Sequence, residues 1–209
     1  MSARALGLWI QAALLLGWIG LAAATAHADV TVLCLGDSLT EGYGLALDEA
    51  YPALVERRLH AEGRRDVRVI NAGISGSTSA SGAARLRWQL RGKPDVLLLA
   101  LGANDGLRGL DLGATRRNLD EVIRLARAAG LRILIAGMKL PPNYGETYTR
   151  AFEQMYVELA ETHGLARIPF LLDGVAGRPE LSLPDGLHPN ARGQALVAET
   201  VLRYLRPLL

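Results

Sequence analysis

The 209-residue chain has the length of one domain, or of a domain with an appendage, and half of its residues are hydrophobic, so a sizeable core is available. Lys and Arg outnumber Asp and Glu by only two, 23 against 21, and form no basic run, so neither a nucleic acid nor another polyanion is expected as a partner. The one cysteine, Cys34, excludes an intrachain disulfide and lies in an apolar run, where a buried, unreactive thiol is expected.

The first 28 residues have the pattern of a secretory signal peptide. Arg4 precedes an uncharged apolar stretch at 6–24, and Ala26-His27-Ala28 is a small-x-small cleavage pattern. Cleavage is therefore predicted after Ala28, with a periplasmic or secreted product. A retained membrane anchor is the alternative, since the apolar stretch is nearly long enough to span a bilayer. We favour cleavage and expect a single domain over 29–209, without a stable membrane anchor.

Short apolar runs alternate with longer amphipathic stretches through the rest of the chain. The apolar runs predict strands at 30–35, 67–71, 96–101, 131–136 and 166–170. The intervening stretches predict helices at 51–61, from a cap at Ser77 or Thr78 to about 90, at 112–129, at 148–163, and from Pro189 to about 204. This alternation predicts an α/β fold with helices on both faces of a parallel sheet. Ligands of such sheets bind beyond the carboxyl ends of the strands, so residues that directly follow a strand are the informative ones.

Asp37 and Ser38 directly follow the first predicted strand, which ends at Gly36. A serine there can expose its hydroxyl among backbone N–H groups, which is the arrangement that a serine nucleophile requires. The stretch is not a G-x-S-x-G elbow, because Thr40 stands where the second glycine would be. Alternatively, Ser38 caps a helix after the strand. This stretch alone leaves both interpretations open.

A second candidate element is the loop that contains Asp185 and His188. The histidine follows the aspartate by three residues, so one turn can bring the carboxylate to one ring nitrogen while the other nitrogen faces Ser38. An exposed turn with an incidental Asp and His is the alternative. Among the other histidines, His60 and His163 lie near the ends of predicted helices, and no two histidines have metal-ligand spacing, so no metal site is expected.

Acyl transfer also needs hydrogen-bond donors for the oxyanion. The backbone N–H of Ser38 is one candidate, and Gly73 is a second, because glycine lets the backbone approach a carbonyl oxygen closely. The side-chain amide of Asn104 is the third. Ordinary turn roles for Gly73 and Asn104 are the alternative.

Taken together, these loops resemble a known family. Gly36-Asp37-Ser38-Leu39, the Gly73 loop, Gly102-Ala103-Asn104-Asp105 and Asp185-Gly186-Leu187-His188-Pro189 resemble, in order and spacing, the four blocks of the GDSL, or SGNH, hydrolases. The wider stretches G-D-S-L-T-E-G-Y-G, N-A-G-I-S-G-S-T-S, G-A-N-D-G-L and P-P-N-Y-G resemble one branch in particular, which comprises thioesterases, lysophospholipases and arylesterases.

The resemblance implies a fold, an activity and roles for the residues. It implies a three-layer α/β/α, flavodoxin-like sandwich with about five parallel strands in the order 2-1-3-4-5. It implies a serine esterase or thioesterase that needs no cofactor, with Ser38 as nucleophile, His188 as general base and acid, and Asp185 as the residue that orients the imidazole. It also implies Ser38, Gly73 and Asn104 as the oxyanion donors.

The expected substrate is a small-molecule acyl ester or thioester. Apolar side chains in the loop at 137–147 are expected to wall an acyl groove, namely Met138, Leu140, Pro141, Pro142 and Tyr144. A loop packed only for folding is the alternative. In the resembled branch this loop helps to select the acyl chain, which suggests a medium or long one.

Two other functions are compatible with parts of the pattern. A carbohydrate O-deacetylase would use the same scaffold, although the apolar loop and the few aromatics (2 Phe, 3 Trp and 6 Tyr) argue against a sugar platform. A non-catalytic module could instead cradle a phosphate with the strand-end glycines, Ser38 and Thr40. The Asp185–His188 pair argues against such a module.

Overall fold

A five-stranded parallel sheet forms the centre of the molecule. The computed structural model describes residues 29–209, so the predicted signal peptide and its cleavage site lie outside the described residues. The strands are β1 (Val30–Gly36), β2 (Val67–Gly73), β3 (Val96–Ala100), β4 (Arg132–Ala136) and β5 (Ala166–Ile168). Their order is β2-β1-β3-β4-β5 and every neighbouring pair is parallel, which confirms the predicted fold class and strand order.

Helices cover both faces of this sheet. They are α1 (Ser38–Glu41), α2 (Tyr51–Ala61), α3 (Gly82–Gln89), α4 (Ala103–Leu107), α5 (Leu112–Ala128), α6 (Glu146–His163) and α7 (Ala191–Leu205). The α2 helix packs against α7, whereas α5 packs between α3 and α6. Right-handed crossovers place these two groups on opposite faces, because the chain moves in one direction from β1 to β2 and in the other from β2 onwards. In the described part of the chain, no helix is long and apolar enough to cross a membrane.

The core lies on both sides of the central strands. All five residues of β3 are buried, as are the last five of β1, because helices cover both of their faces. On α5 the buried apolar residues recur at helical spacing, so one stripe of the helix faces the sheet: Leu119, Val122, Ile123 and Ala126. This buried sheet holds the carboxyl ends of its strands at fixed positions.

The start of α3 differs from the prediction. Neither Ser77 nor Thr78 caps it, since a 3-10 turn at Ser79–Ser81 comes first and the helix begins only at Gly82. The reason is a tertiary contact: Ser79 donates its N–H (2.8 Å) and its hydroxyl (2.6 Å) to the buried carboxylate of Asp105. A side chain of α4, the helix that follows β3, therefore sets the conformation here.

Two further helix starts also differ. Asp37, not Ser38, is the N-cap of α1, because its carboxylate accepts the N–H of Leu39 at 3.0 Å. At the C-terminal helix, Asn190 caps α7 by accepting the N–H of Gly193, and Pro189 lies just before the cap. In both places the short polar side chain, not the predicted residue, accepts the orphan amide of the first turn.

Candidate active site

Ser38 lies at the carboxyl end of the central strand β1, as the first residue of α1. This helix is one turn long and ends at Gly42, which adopts a left-handed conformation with φ of 86°. The backbone N–H of Ser38 has no acceptor within residues 29–209, as is usual for the first residue of a helix. The side chain is 9% exposed and lines a cavity.

The imidazole of His188 lies between Ser38 and Asp185. Its Nε2 is 2.9 Å from the Ser38 hydroxyl, and its Nδ1 is 2.7 Å from Oδ2 of Asp185. If Nδ1 carries the proton for the carboxylate, the lone pair of Nε2 faces the serine hydroxyl. The structure thus brings together the three side chains that the sequence analysis grouped.

The carboxylate of Asp185 is held in place by its own loop. Its Oδ1 accepts the N–H of Leu187 at 2.9 Å and that of His188 at 3.0 Å. These contacts hold the pKa of Asp185 down, from 3.8 to about 2, with the His188 backbone N–H as the largest cause and the His188 side chain as the next. Asp185 is therefore ionised at neutral pH and can hold the imidazole in one orientation.

Two further contacts hold His188. The ring of Tyr43 packs against the imidazole, with centroids 4.5 Å apart and planes tilted by 37°. The carbonyl of His188 accepts the N–H of Leu183 at 2.7 Å, and Ser182 bridges to Pro189 beside it. The histidine loop is thus fixed by both its backbone and its ring.

The side-chain amide of Asn104 reaches the site from the start of α4. Its Nδ2 donates to the carbonyl of Ser77 at 3.0 Å and lies 3.5 Å from Oδ2 of Asp37. Asn104 also lines the cavity that contains Ser38. The predicted amide donor is therefore next to the serine.

The structure corrects the prediction for Gly73. Its N–H already donates to Oδ1 of Asn71 at 2.9 Å, and a Cβ added to Gly73 would overlap the backbone of Glu41. Glycine is needed here because β2 packs closely on α1, and the amide is not available to a substrate. The next glycine, Gly76, has φ of 74°, and its N–H has no acceptor within residues 29–209. Gly76 also adjoins Ser77, which Asn104 contacts.

Asp37 is a buried carboxyl beneath the serine. It is 1% exposed, and burial raises its pKa from 3.8 to about 6, although the N–H of Leu39 and the charges of His188 and Arg85 act in the opposite direction. Arg85 donates to the carbonyls of Gly36 (2.8 Å) and Ala72, at the ends of β1 and β2. Asp37 and Arg85 thus place two ionisable groups beneath Ser38.

A cavity of about 530 Å³ opens beside Ser38. Four of the five predicted groove residues line it: Met138, Leu140, Pro141 and Pro142. Tyr144 does not line it. Its hydroxyl donates to the carbonyl of Leu107 at 2.9 Å, and Leu107 itself lines the cavity. The segment after β5 supplies another part of the lining, which includes Phe170, Leu172 and Val175.

Comparison with known proteins identifies the family. Residues 34–196, most of the chain, match the model of the GDSL-like lipase/acylhydrolase family. The chain belongs to this family. It is 41% identical to esterase TesA of Pseudomonas aeruginosa, over 96% of this chain and all of that protein. It is 37% identical to thioesterase 1/protease 1/lysophospholipase L1 of Escherichia coli K12, over 88% of this chain and 87% of that protein.

Solved structures of the family have the same fold. The crystal structure of TesA aligns with a TM-score of 0.82 at 42% identity, covering 86% of this chain and 99% of that one. Esterase EstA from Pseudoalteromonas, in a structure inhibited by monoethylphosphonate, aligns with a TM-score of 0.81 at 33% identity, covering 86% and 98%. This GDSL-like acylhydrolase is accordingly a serine ester hydrolase.

Some features of the acylhydrolase site were missed from the sequence. Tyr43 lies in the G-D-S-L-T-E-G-Y-G block, but nothing in its spacing shows that it would reach a residue far along the chain. The sequence does not distinguish Gly76 from Gly73, three residues earlier, because the relevant difference is in the hydrogen bonds of their N–H groups. The wall at 170–177 lies in an irregular stretch without a periodic signal. Within residues 29–209, no cluster of three or more His, Cys, Asp or Glu could hold a metal ion.

Proposed function

We propose that the protein is an exported hydrolase that cleaves acyl esters and thioesters through an acyl-enzyme on Ser38. The observation that carries this proposal is the position of His188, whose two nitrogens are hydrogen-bonded to Ser38 and to Asp185. That arrangement suits a general base held in one tautomer beside a nucleophile. Relatives named as an esterase, an arylesterase and a thioesterase support both ester and thioester substrates.

The reaction would proceed in two halves. His188 Nε2 takes the proton of Ser38 as Oγ attacks the acyl carbonyl, and the ionised Asp185 stabilises the imidazolium. The C–O or C–S bond then breaks, and His188 gives its proton to the leaving alcohol or thiol. In the second half, His188 deprotonates a water molecule that attacks the acyl-enzyme, and the proton returns to Ser38 as the acid leaves.

Three donors would stabilise the oxyanion in both halves. We assign the N–H of Ser38 and the amide of Asn104, as predicted, and we replace Gly73 with the N–H of Gly76. The two backbone N–H groups are free of other partners within the described chain, and Asn104 adjoins the same loop as Gly76. Loss of one such donor typically slows acyl transfer about 100- to 1000-fold.

The cavity is assigned to the acyl chain. Its walls are mainly apolar and come from the loop at 137–142 and the segment at 170–177. Such walls suit a medium or long acyl chain better than a hydroxyl-rich sugar.

Export rests on the predicted signal peptide. Intact-mass measurement of the protein recovered from the periplasm or medium is expected to give a chain that begins at Asp29.

The nucleophile is tested with Ser38→Ala and His188→Ala on p-nitrophenyl esters. Each is expected to lower kcat by about 10⁴-fold or more, because the nucleophile or its base is lost. His60→Ala is the matched control: its imidazole contacts the carbonyl of Val67 at 2.7 Å, and its loss should leave kcat nearly unchanged. A fluorophosphonate should label wild type but not Ser38→Ala. Ser38→Ala protein with near-wild-type turnover would refute the mechanism.

A further inference from the structure

Glu41 connects the helix of the nucleophile to the loop that follows β2. It is the last residue of α1, three residues after Ser38. Its Oε2 accepts the N–H of Ser75 at 2.8 Å and also accepts the Ser75 hydroxyl. Its carbonyl accepts the side-chain amide of Asn71 at 3.3 Å, and Gly73 packs against its backbone. One residue of α1 thus contacts every second residue from the end of β2 into the loop.

The contacted loop forms a short turn that contains Gly76. The N–H of Ser77 donates to the carbonyl of Ile74 at 3.2 Å and closes the turn. Glu41 holds Ser75 within it, while Arg108 donates to the carbonyl of Gly76 at 3.0 Å. The peptide group that carries the N–H of Gly76 lies between these two fixed points. Because the residues on both sides of this group are held, its position relative to α1 is restricted.

We propose that Glu41 is a positioning residue, which sets the N–H of Gly76 relative to the N–H of Ser38. This inference rests on the proposed function, because it presumes that both groups bind the oxyanion. Glu41 shares a single helical turn with Ser38, so its carboxylate ties one donor to the helix that supplies the other. The donors are therefore fixed in the free enzyme and need no rearrangement when charge develops on the substrate.

Loss of this contact should affect turnover more than substrate binding. The oxyanion forms only in the transition state and the tetrahedral intermediate, whereas the acyl chain occupies the cavity in the ground state as well. Glu41→Ala is thus expected to lower kcat about 10- to 100-fold, in the range caused by misplacing a catalytic donor by about 1 Å. KM should stay within about twofold of wild type.

The experiment compares Glu41→Ala, Glu41→Gln, Ser75→Ala and the double variant Glu41→Ala/Ser75→Ala on p-nitrophenyl butyrate. Glu41→Gln keeps an acceptor oxygen for the Ser75 N–H and should recover most of the lost kcat. The double variant should be no slower than Glu41→Ala alone, because Glu41→Ala already removes the contact that the Ser75 hydroxyl makes. Glu49→Ala is the matched control, since within residues 29–209 the Glu49 side chain accepts only the nearby N–H of Ala46, at 3.1 Å.

A second readout isolates the oxyanion site. An alkylboronic acid forms a tetrahedral adduct with the nucleophile and places a hydroxyl where the oxyanion would lie. Its inhibition constant should rise in Glu41→Ala by about the factor by which kcat falls, and should not change in Glu49→Ala. A purely structural role would lower the thermal midpoint without this matched change.

Three results would overturn the inference. They are a kcat of Glu41→Ala equal to that of Glu49→Ala, a loss confined to KM, and independent effects of Glu41→Ala and Ser75→Ala. If Glu41→Ala does not fold, Glu41→Asp takes its place, because its carboxylate is one methylene shorter and is drawn away from Ser75; wild-type kcat in that variant would overturn the inference. The proposed function is judged separately, since it fails only if wild type lacks esterase activity or Ser38→Ala retains it.

Discussion

Asp37→Asn is expected to stabilise the protein at neutral and alkaline pH but much less in acid. Burial raises the pKa of Asp37 from 3.8 to about 6. The unfolded chain therefore ionises this carboxyl at a lower pH than the folded protein does, and folding takes up a proton between these values. The stability that the neutral carboxyl provides is fully present below about pH 3.8 and is lost as the pH rises through about 6.

The separation of the two pKa values gives the size of the effect. It corresponds to about 3 kcal/mol of stability lost by pH 8, of which about 2 kcal/mol is lost between pH 4.5 and 8. The asparagine variant does not ionise, so it avoids this loss while still accepting the N–H of Leu39. Nδ2 of Asn104 lies 3.5 Å from Asp37 Oδ2, so the new NH₂ group of the variant faces another donor. This unfavourable contact lowers the stability of the variant by the same amount at every pH. The change with pH is therefore the quantity to measure.

Urea unfolding followed by circular dichroism at pH 4.5, 6 and 8 provides the measurement. The free energy of unfolding of Asp37→Asn relative to wild type should rise by about 2 kcal/mol across this range. Asp48→Asn serves as the control, because the Asp48 side chain is 75% exposed and its loss should change stability by less than about 0.5 kcal/mol. A difference between Asp37→Asn and wild type that stays flat across the range would refute the reasoning.

Two further substitutions test the cavity and the support of α1. Val175→Phe places a larger side chain in the cavity wall, so kcat/KM should fall at least about tenfold for a p-nitrophenyl laurate but remain nearly unchanged for the acetate; parallel losses would argue against an acyl site there. Gln194→Leu removes the acceptor of the Tyr51 N–H (2.9 Å) and the donor to the Leu39 carbonyl (3.1 Å), so it should destabilise the protein by about 2 to 4 kcal/mol in urea unfolding. A loss below about 0.5 kcal/mol would show that solvent or neighbouring groups replace both hydrogen bonds.

The strands of the sheet could be predicted because the signal for each one lies within its own few residues. A strand covered on both faces must be apolar where it is buried, so β3, and β4 from Ile133 onwards, stand out as continuous runs of Val, Leu, Ile and Ala. The start of α3 was not predictable in the same way. Ser79 is drawn toward Asp105, which lies 26 residues later, and no local pattern reports such a contact.

Some residues of the candidate site could likewise be predicted from the sequence, whereas others required the structure. Ser38, Asn104, Asp185 and His188 belong to motifs in which the order of residues carries the signal, and the structure brings them together. Choosing between Gly73 and Gly76 required knowing that Asn71 already accepts the N–H of Gly73. Likewise, part of the cavity lining comes from the irregular segment at 170–177, whose apolar residues have no period, and only the fold shows that they line the same cavity as Ser38.

The hydrogen bond between Ser38 and His188 joins residues 150 positions apart, and this span has a consequence for incomplete chains. A chain that ends after β5 keeps Ser38 and Asn104 but has no imidazole beside them. In the proposed mechanism, hydrolysis therefore requires the last tenth of the chain, with α7 docked through Gln194. We expect a C-terminally truncated chain to be inactive toward esters, so that esterase activity reports completion of the fold.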